Sequence, residues 1–140
     1  MKIASNSVDV TCAIVIVNGK ILATQRSENM KLPLKWEFPG GKIEPNETAE
    51  ACICRELREE LNIEIEILER LKPQRFDYET ISINLIHFVA NLVSGEVTLQ
   101  EHRDFKWLST DQLRLLDWAL ADIPILDLFL KSDYASGRTI

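Results

Sequence analysis

The sequence is short of basic residues, and this shortage argues against one class of function at the outset. Its 140 residues include 16 Lys and Arg against 22 Asp and Glu, which gives a formal net charge of −6 at pH 7. Proteins that bind nucleic acids usually carry basic patches, so this balance argues against a nucleic-acid partner. It also repels a polyphosphate at long range, so metal ions and a few local cations would have to attract such a substrate.

Long hydrophobic runs and paired cysteines are scarce as well. The longest apolar run near the start, Cys12 to Val17, is far too short to span a bilayer, and it ends in Asn18-Gly19 instead of a small-residue cleavage site. None of the three cysteines, Cys12, Cys52 and Cys54, belongs to a C-x-x-C pair. We expect all three to be reduced, mostly buried side chains in a cytoplasmic protein without a membrane or targeting segment.

A run of glutamates within residues 41–63 is the most informative feature that the chain does contain. This stretch follows a glycine-rich turn at residues 38–41 and carries Glu56, Glu59 and Glu60. Residues three and four apart share one face of a helix, where like charges repel and weaken it. A hard divalent cation would compensate for this repulsion, because such ions bind through carboxylates together with substrate phosphates. The alternative is a solvated surface helix with ordinary ion pairs, but such a helix needs no paired glycines before it.

The same stretch resembles the Nudix box, the motif of a family that hydrolyses nucleoside diphosphates linked to another group. The family usually has glycine where this chain has Asn62, and asparagine is the second choice for a left-handed residue after a helix. Beyond the box, the first hairpin and residues 36–44 and 118–124 resemble the MutT branch, which cleaves nucleoside triphosphates to the monophosphate and pyrophosphate. The residues that match the box are Gly41, Glu47, Arg55-Glu56-Leu57, Glu59-Glu60 and Asn62-Ile63.

Local signals predict a single domain over residues 1–140. Asn18-Gly19 is a hairpin turn signal, and Thr48 is the predicted N-cap of the helix that carries the glutamates. The pattern is that of an α+β chain, and the resemblance implies the Nudix α/β/α sandwich with a mixed β-sheet between helices. The predicted elements are strands at residues 8–17, 20–25, 36–38, 63–71, 81–93 and 105–108, helices at 49–61, after Ser109 and at 123–131, and a flexible tail at 132–140.

The carboxylates of the box are the natural metal ligands, and the resemblance adds two more. Glu56 is our first choice of general base and Glu59 the second. Because crowded carboxylates titrate as a coupled set, no single pKa belongs to any of them. The expected ligands are Glu56, Glu59 and Glu60, with the Gly40 carbonyl and Glu101, a loop residue, added by the resemblance.

The basic residues near the box receive separate roles. We expect Arg55 to pair with Glu47 and hold the loop against the helix, without touching substrate. Lys42 and Arg26 are candidate phosphate contacts. Arg26 ends the second hairpin strand, where this family often carries a substrate-facing arginine, although an arginine at a strand end is equally often only solvated.

Recognition of the base is assigned to Asp122, which stands where oxidised-guanine enzymes of the MutT branch carry asparagine. An ionised aspartate only accepts hydrogen bonds, so it favours a donor such as the exocyclic amine of cytosine. The alternative for Asp122 is an ordinary helix N-cap. Phe38 or Trp118 is a candidate for stacking on the base. His102 is a candidate proton-transfer group or, alternatively, a bystander in its loop.

These hypotheses together predict a nucleoside triphosphate pyrophosphohydrolase that uses Mg²⁺, or else Mn²⁺, as a monomer or homodimer. The expected substrate is CTP or a modified pyrimidine nucleotide, and 8-oxo-dGTP is the runner-up. Other Nudix substrates, such as ADP-ribose, dinucleoside polyphosphates or coenzyme A, form one alternative. A non-catalytic nucleotide sensor on the same fold forms the other, although a sensor needs no complete set of metal-binding carboxylates.

Overall fold

The computed structural model describes residues 7–136, which form eight β-strands and four helices. The hairpin and the helix of the box lie where the sequence predicts them. The strands are β1 (Ser7–Val17), β2 (Lys20–Gln25), β3 (Trp36–Glu37), β4 (Gly40–Lys42), β5 (Glu64–Arg70), β6 (Gln74–Asp77), β7 (Ser82–Ser94) and β8 (Asp104–Leu108). The helices are α1 (Ala49–Leu61), α2 (Thr110–Leu113), α3 (Asp122–Leu130) and α4 (Asp133–Ser136).

One mixed sheet contains all of these strands, and β1 lies at its centre. β1 pairs antiparallel with β2 and β4 and parallel with β7, from Ser7↔Ser82 to Ile16↔Asn91. β5 and β6 extend the sheet beyond β7, while β3 and β8 pair with β2. Residues 11–16 of β1 are all buried, as is typical of a central strand covered on both faces.

Helices cover the two faces of the sheet, because successive side chains of a strand point to opposite sides. On one face, Ile53 and Leu57 of α1 pack against the side chains of Ala13 and Val15. On the other face, α3 packs with Phe129 and its neighbours against the opposite side of β1 and against Trp36, Phe38 and Trp118. This arrangement confirms the α+β class and the mixed sheet between helices.

Helix α1 begins and ends at the predicted capping residues. Thr48 Oγ1 accepts a hydrogen bond from the Ala51 N–H at 3.0 Å. At the other end, Asn62 adopts the left-handed conformation with φ 61 and ψ 37 and donates its N–H to the Arg58 carbonyl. The asparagine therefore performs the turn that glycine usually makes at this position. The box helix keeps both of its boundaries despite the departure from the family pattern.

Four elements differ from the sequence predictions. Residues 40–42 form β4, which pairs with β1, where the sequence predicts the end of a glycine-rich turn. β6 is not predicted, because only Phe76 is apolar among its four residues and such a segment shows too little alternation. Helix α3 begins at Asp122 itself, with Ala121 as its N-cap. Residues 133–136 of the expected tail form α4, where Tyr134 Oη donates to Glu69 at 2.7 Å. Residues 137–140 of that tail lie outside the described part of the chain.

The described residues include all three cysteines. Cys12, Cys52 and Cys54 are free cysteines, the first two buried and the third half-buried, as expected. Within residues 7–136, no helix has both the length and the apolar character that crossing a membrane requires.

Candidate active site

The glycine pair of β4 lies in a narrow space between β1 and α1. Gly40 pairs with Cys12 and Gly41 with Thr11, and the Ala13 N–H donates to the Pro39 carbonyl at 2.8 Å. A side chain on Gly40 would meet the backbone of β1, and one on Gly41 would meet the carboxylate of Glu56. The two glycines therefore let β4 lie directly between the central strand and the glutamates of α1.

Arg55 is the centre of an ion-pair cluster on α1. Its Nε donates to Glu47 Oε2 at 2.6 Å, and its Nη1 donates to Glu56 Oε2 at 2.9 Å and to Glu59 Oε1 at 3.0 Å. A third group, Nη2, donates to the Lys42 carbonyl at 3.3 Å. The predicted pairing of Arg55 with Glu47 is confirmed, and the same guanidinium also compensates two of the crowded carboxylates.

The bond to Arg55 lowers the pKa of Glu47 to about 2, with a further contribution from the backbone N–H of Glu44. A carboxyl whose pKa is lower in the folded state stabilises the fold above its unfolded pKa, and this contribution is lost as the pH falls through the folded pKa. We therefore predict that Glu47→Gln is less stable than wild type at pH 7 and that the difference disappears between about pH 4.5 and about pH 2. Urea denaturation at a series of pH values measures it. A difference that stays constant over this window would contradict the assignment.

Glu60 and Glu101 form a second group of carboxylates beside the first. Burial raises the pKa of Glu60 most, followed by the charges of Glu101 and Glu56, and the carboxyls of Glu60 and Glu101 interact directly. Burial likewise raises the pKa of Glu56, against the opposing effect of Arg55. Among the described residues, Glu60 Oε2 is a buried oxygen without a hydrogen-bond partner. An unpartnered buried carboxylate oxygen is costly, and a bound cation would satisfy it.

These residues fit a divalent cation in their chemistry. Carboxylate oxygens are the ligands that hard ions prefer, and Glu56 and Glu101 lie close enough to Glu60 for their charges to raise its pKa. Within residues 7–136, no three acidic, histidine or cysteine side chains already converge as a complete metal centre. The Glu59 side chain is 59% exposed and is bound to Arg55. The structure thus brings Glu60 to Glu101 and holds Glu59 on the guanidinium.

A second cluster lies on the other side of β3, around Glu37. Glu37 Oε1 accepts from Arg26 Nη1 at 2.8 Å, and its Oε2 lies 2.8 Å from His102 Nε2. Arg26 Nε also donates to the Lys31 carbonyl. Arg26 is therefore held at the edge of the site and is not merely solvated. Glu37 was not assigned to the site from sequence, and only its position beside the glycine turn pointed to it. His102, a candidate proton-transfer group or bystander from sequence, is buried and bound to Glu37.

Asp122 lies close to this second cluster and is buried. Its Oδ2 accepts from the Phe38 backbone N–H at 2.8 Å. Burial raises the pKa of Asp122 well above its ordinary value, and the charge of Glu37 adds to the rise. The helix-cap alternative for Asp122 is wrong, since Ala121 is the N-cap and the carboxylate binds a residue of the turn before β4.

The remaining predicted substrate contacts are Phe38, Trp118 and Lys42. Phe38 is 2% exposed and Trp118 5%, and their ring centroids lie 4.7 Å apart. Neither ring has a free face for a base, because both fill the core on the α3 side, so the predicted stacking role is wrong for this structure. Trp118 Nε1 also donates to the Leu113 carbonyl. Lys42 is exposed at the end of β4, where its ammonium group can meet a phosphate.

Comparisons with known proteins agree with this geometry. Residues 7–129 match the family model described as NUDIX domain. The chain is 36% identical over 126 residues to the CTP pyrophosphohydrolase of Escherichia coli strain K12, covering 88% of this chain and 91% of that protein. It is 30% identical over 109 residues to the 8-oxo-dGTP diphosphatase of the same strain, covering 78% and 84%.

A solved structure shows the same fold. The solution structure of the E. coli ORF135 protein superposes with a TM-score of 0.79 at 32% identity and covers 96% of this chain and 94% of that one. Nudix enzymes generally act with a divalent metal, in agreement with the carboxylates around Glu60. On these grounds the chain belongs to the Nudix family and is a hydrolase of phosphoanhydride bonds.

Proposed function

We propose that this protein hydrolyses nucleoside triphosphates to the monophosphate and pyrophosphate with Mg²⁺, in the cytoplasm, where its three free cysteines stay reduced. The observation that carries the proposal is that Glu60 has a buried carboxylate oxygen without a hydrogen-bond partner and lies close to the charges of Glu56 and Glu101. The names of two relatives, a CTP pyrophosphohydrolase and an 8-oxo-dGTP diphosphatase, support the substrate class.

The proposed metal ligands are Glu56, Glu59, Glu60, Glu101 and the Gly40 carbonyl. When bound, Mg²⁺ acidifies water, neutralises phosphate oxygens and stabilises the leaving pyrophosphate. Glu56 is the proposed general base, with Glu59 as second choice. Burial raises the pKa of Glu56, which makes the group a better proton acceptor, while the bond to Arg55 favours its ionised form.

Substrate binding is assigned to Arg26 and Asp122, which lie near Glu37, and to Lys42 at the end of β4. Arg26 and Lys42 would contact phosphate oxygens, Arg26 with a guanidinium already oriented by Glu37. Asp122 would contact the edge of the base. One of its oxygens is used by the Phe38 N–H, which fixes the side chain and leaves the other oxygen for the nucleotide. The buried Phe38 and Trp118 stabilise the wall behind this contact.

A panel of nucleotides tests the proposed function. The protein is incubated with Mg²⁺ and CTP, dCTP, a modified pyrimidine triphosphate, 8-oxo-dGTP, ADP-ribose, a dinucleoside polyphosphate or coenzyme A. Anion-exchange chromatography separates the products and identifies pyrophosphate. We expect pyrophosphate and monophosphate from a triphosphate. Turnover restricted to ADP-ribose or coenzyme A would overturn the substrate class, and turnover of none would favour the nucleotide sensor.

The protonation of Asp122 decides between the two substrate candidates. Ionised, it only accepts and favours the amine of cytosine, whereas protonated it offers a donor and an acceptor, as asparagine does. Because burial raises its pKa well above the ordinary value, the protonated form extends to higher pH, which is the specific observation in favour of 8-oxo-dGTP as second candidate.

We predict that the ratio of kcat/KM for CTP to that for 8-oxo-dGTP rises with pH in wild type, since ionised Asp122 accumulates above its folded pKa. In Asp122→Asn the ratio is expected to be lower by up to about tenfold at high pH and independent of pH. Steady-state kinetics of both proteins over the whole pH range in which they stay folded measures the two ratios. Parallel profiles for the two proteins would show that Asp122 does not read the base.

A further inference from the structure

The loop between β7 and β8 carries Glu101 and is tied to the rest of the molecule on both sides of it. The Gln100 N–H donates to the Glu60 carbonyl at 3.3 Å, and the Arg103 N–H donates to the Gln25 carbonyl at 2.9 Å. Glu101 and His102 lie between these two anchors. The loop thus bridges the C-terminal end of α1 and the end of β2, which carries Arg26 just beyond it.

His102 is a buried side chain of this loop. Its side chain is 3% exposed, and its Nε2 lies 2.8 Å from Glu37 Oε2. Its other nitrogen, Nδ1, is buried without a hydrogen-bond partner among residues 7–136. Buried polar atoms are normally paired, so a half-satisfied histidine indicates that its place is fixed by the bond at Nε2.

Glu37 connects that histidine to the substrate side of the site. One of its oxygens faces His102 and the other accepts from Arg26 Nη1, each at 2.8 Å. The carbonyl of Glu37 accepts from Thr24 Oγ1 at 3.1 Å, which ties β3 to β2. Glu37 is therefore held from three directions, and it provides a firm anchor for the loop.

The Glu101 carboxyl lies against a group that repels it. It interacts directly with the carboxyl of Glu60, and its charge raises the pKa of Glu60. Two ionised carboxylates in contact repel each other, which favours displacement of the loop from α1. The bond between His102 and Glu37 is made by the residue next to Glu101, so it opposes this displacement at the closest point.

We propose that His102 is a positioning residue, which holds the Glu101 carboxylate beside Glu60 through its hydrogen bond to Glu37. Its loss would let the loop withdraw and weaken cation binding, while Arg26 keeps its own bond to Glu37. The inference rests on the proposed function, in which Glu101 is a metal ligand. The effect of His102 on metal affinity can nevertheless be measured without a nucleotide.

Binding of Mn²⁺, followed by the electron paramagnetic resonance signal of the free ion, tests this inference. His102→Leu is expected to raise the half-saturating Mn²⁺ concentration about tenfold or more, as is typical when a partner of a metal ligand is removed. His102→Gln keeps an N–H donor and is expected to stay within about threefold of wild type. His87→Leu is the matched control, because His87 is also buried with an unpartnered Nδ1 but lies on β7, outside both clusters.

Glu37→Asp tests the same bond from its other side, since it retracts the carboxylate by one methylene and keeps the charge, and the same rise of about tenfold is expected. It also decides the matter if His102→Leu does not fold. In turnover assays, the His102→Leu effect is expected on kcat and on the Mg²⁺ concentration needed, with the nucleotide KM within about threefold of wild type.

Unchanged Mn²⁺ affinity in Glu37→Asp and His102→Leu would overturn the inference, as would an equal loss in His87→Leu. A wild-type protein that binds Mn²⁺ but cleaves no nucleotide would overturn the proposed function alone, with the positioning role still decided by the binding data. A wild-type protein that binds no Mn²⁺ would overturn both.

Discussion

Replacement of Glu60 by glutamine is expected to lower kcat about a thousandfold at saturating Mg²⁺ while the fold stays intact. Glu60 has a buried oxygen without a hydrogen-bond partner, and burial and the charges of Glu101 and Glu56 all disfavour its ionised form, so a bound cation would compensate a large cost. Glutamine has the same shape but offers one neutral oxygen in place of a carboxylate. Release of pyrophosphate at increasing Mg²⁺ measures the effect.

The same substitution separates binding from folding. Without metal, the melting temperature of Glu60→Gln is expected to equal or exceed that of wild type, because burial and Glu101 penalise the ionised carboxyl in the folded state. With Mg²⁺, wild type is expected to gain stability by mass action, about 2.7 kcal/mol at a hundredfold excess over Kd, and the variant to gain much less. Thermal melts with and without Mg²⁺ report both effects.

Glu66→Gln is a suitable control, since Glu66 is an exposed glutamate on β5 and the charge change is the same. Near wild-type kcat in Glu60→Gln at saturating Mg²⁺ would contradict the assignment of the carboxylate cluster. Glu59→Gln is expected to have a smaller effect than Glu60→Gln. Its carboxylate is largely exposed and already bound to Arg55, whereas Glu60 is half-buried and has one buried oxygen without a hydrogen-bond partner.

The parts of the fold that follow from sequence are those with local signals. The hairpin follows from Asn18-Gly19, whose residues adopt φ 51 and φ 76, as this tight turn requires. Helix α1 follows from Thr48 and Asn62, each of which acts on backbone groups within four residues. β6 carries no such signal, because it owes its existence to pairing with β7.

In the candidate site, too, a contact within one motif could be predicted from sequence, and contacts between distant residues could not. The pairing of Arg55 with Glu47 could be predicted, since both lie within one motif of fixed spacing. The bond between Glu37 and His102 joins residues 65 positions apart, and that between Asp122 and Phe38 joins residues 84 positions apart. Such contacts depend on how β8 pairs with β2 and how α3 packs against the sheet, which no local pattern specifies. The burial of Phe38 has the same origin, and it removed a stacking role that its residue type suggested.

Gly40→Ala is expected to lose stability, whereas Gly41→Ala is expected to remain folded and to lose activity. A Cβ on Gly40 would lie 2.6 Å from Cys12 Cα and closer still to the Thr11 carbonyl, both in the buried central strand. Backbone at the centre of a sheet cannot yield, so Gly40→Ala is expected to lose about 3–5 kcal/mol of unfolding free energy. The three atoms nearest to a Cβ on Gly41 all belong to the carboxyl end of the Glu56 side chain, which can rotate away. Its unfolding free energy is expected to change by less than about 1 kcal/mol.

The rotation of Glu56 is what makes Gly41→Ala informative about catalysis. Displacing this carboxylate from β4 and from Arg55 is expected to lower kcat about a hundredfold in a protein that remains folded. Urea denaturation gives the stability of each variant, and pyrophosphate release gives its kcat. In a Glu56→Gln background, Gly41→Ala is expected to cause little further loss, since the group it displaces has already lost its function. Wild-type kcat in Gly41→Ala, or a further hundredfold loss in the Glu56→Gln background, would show that Glu56 does not act from the place where β4 holds it.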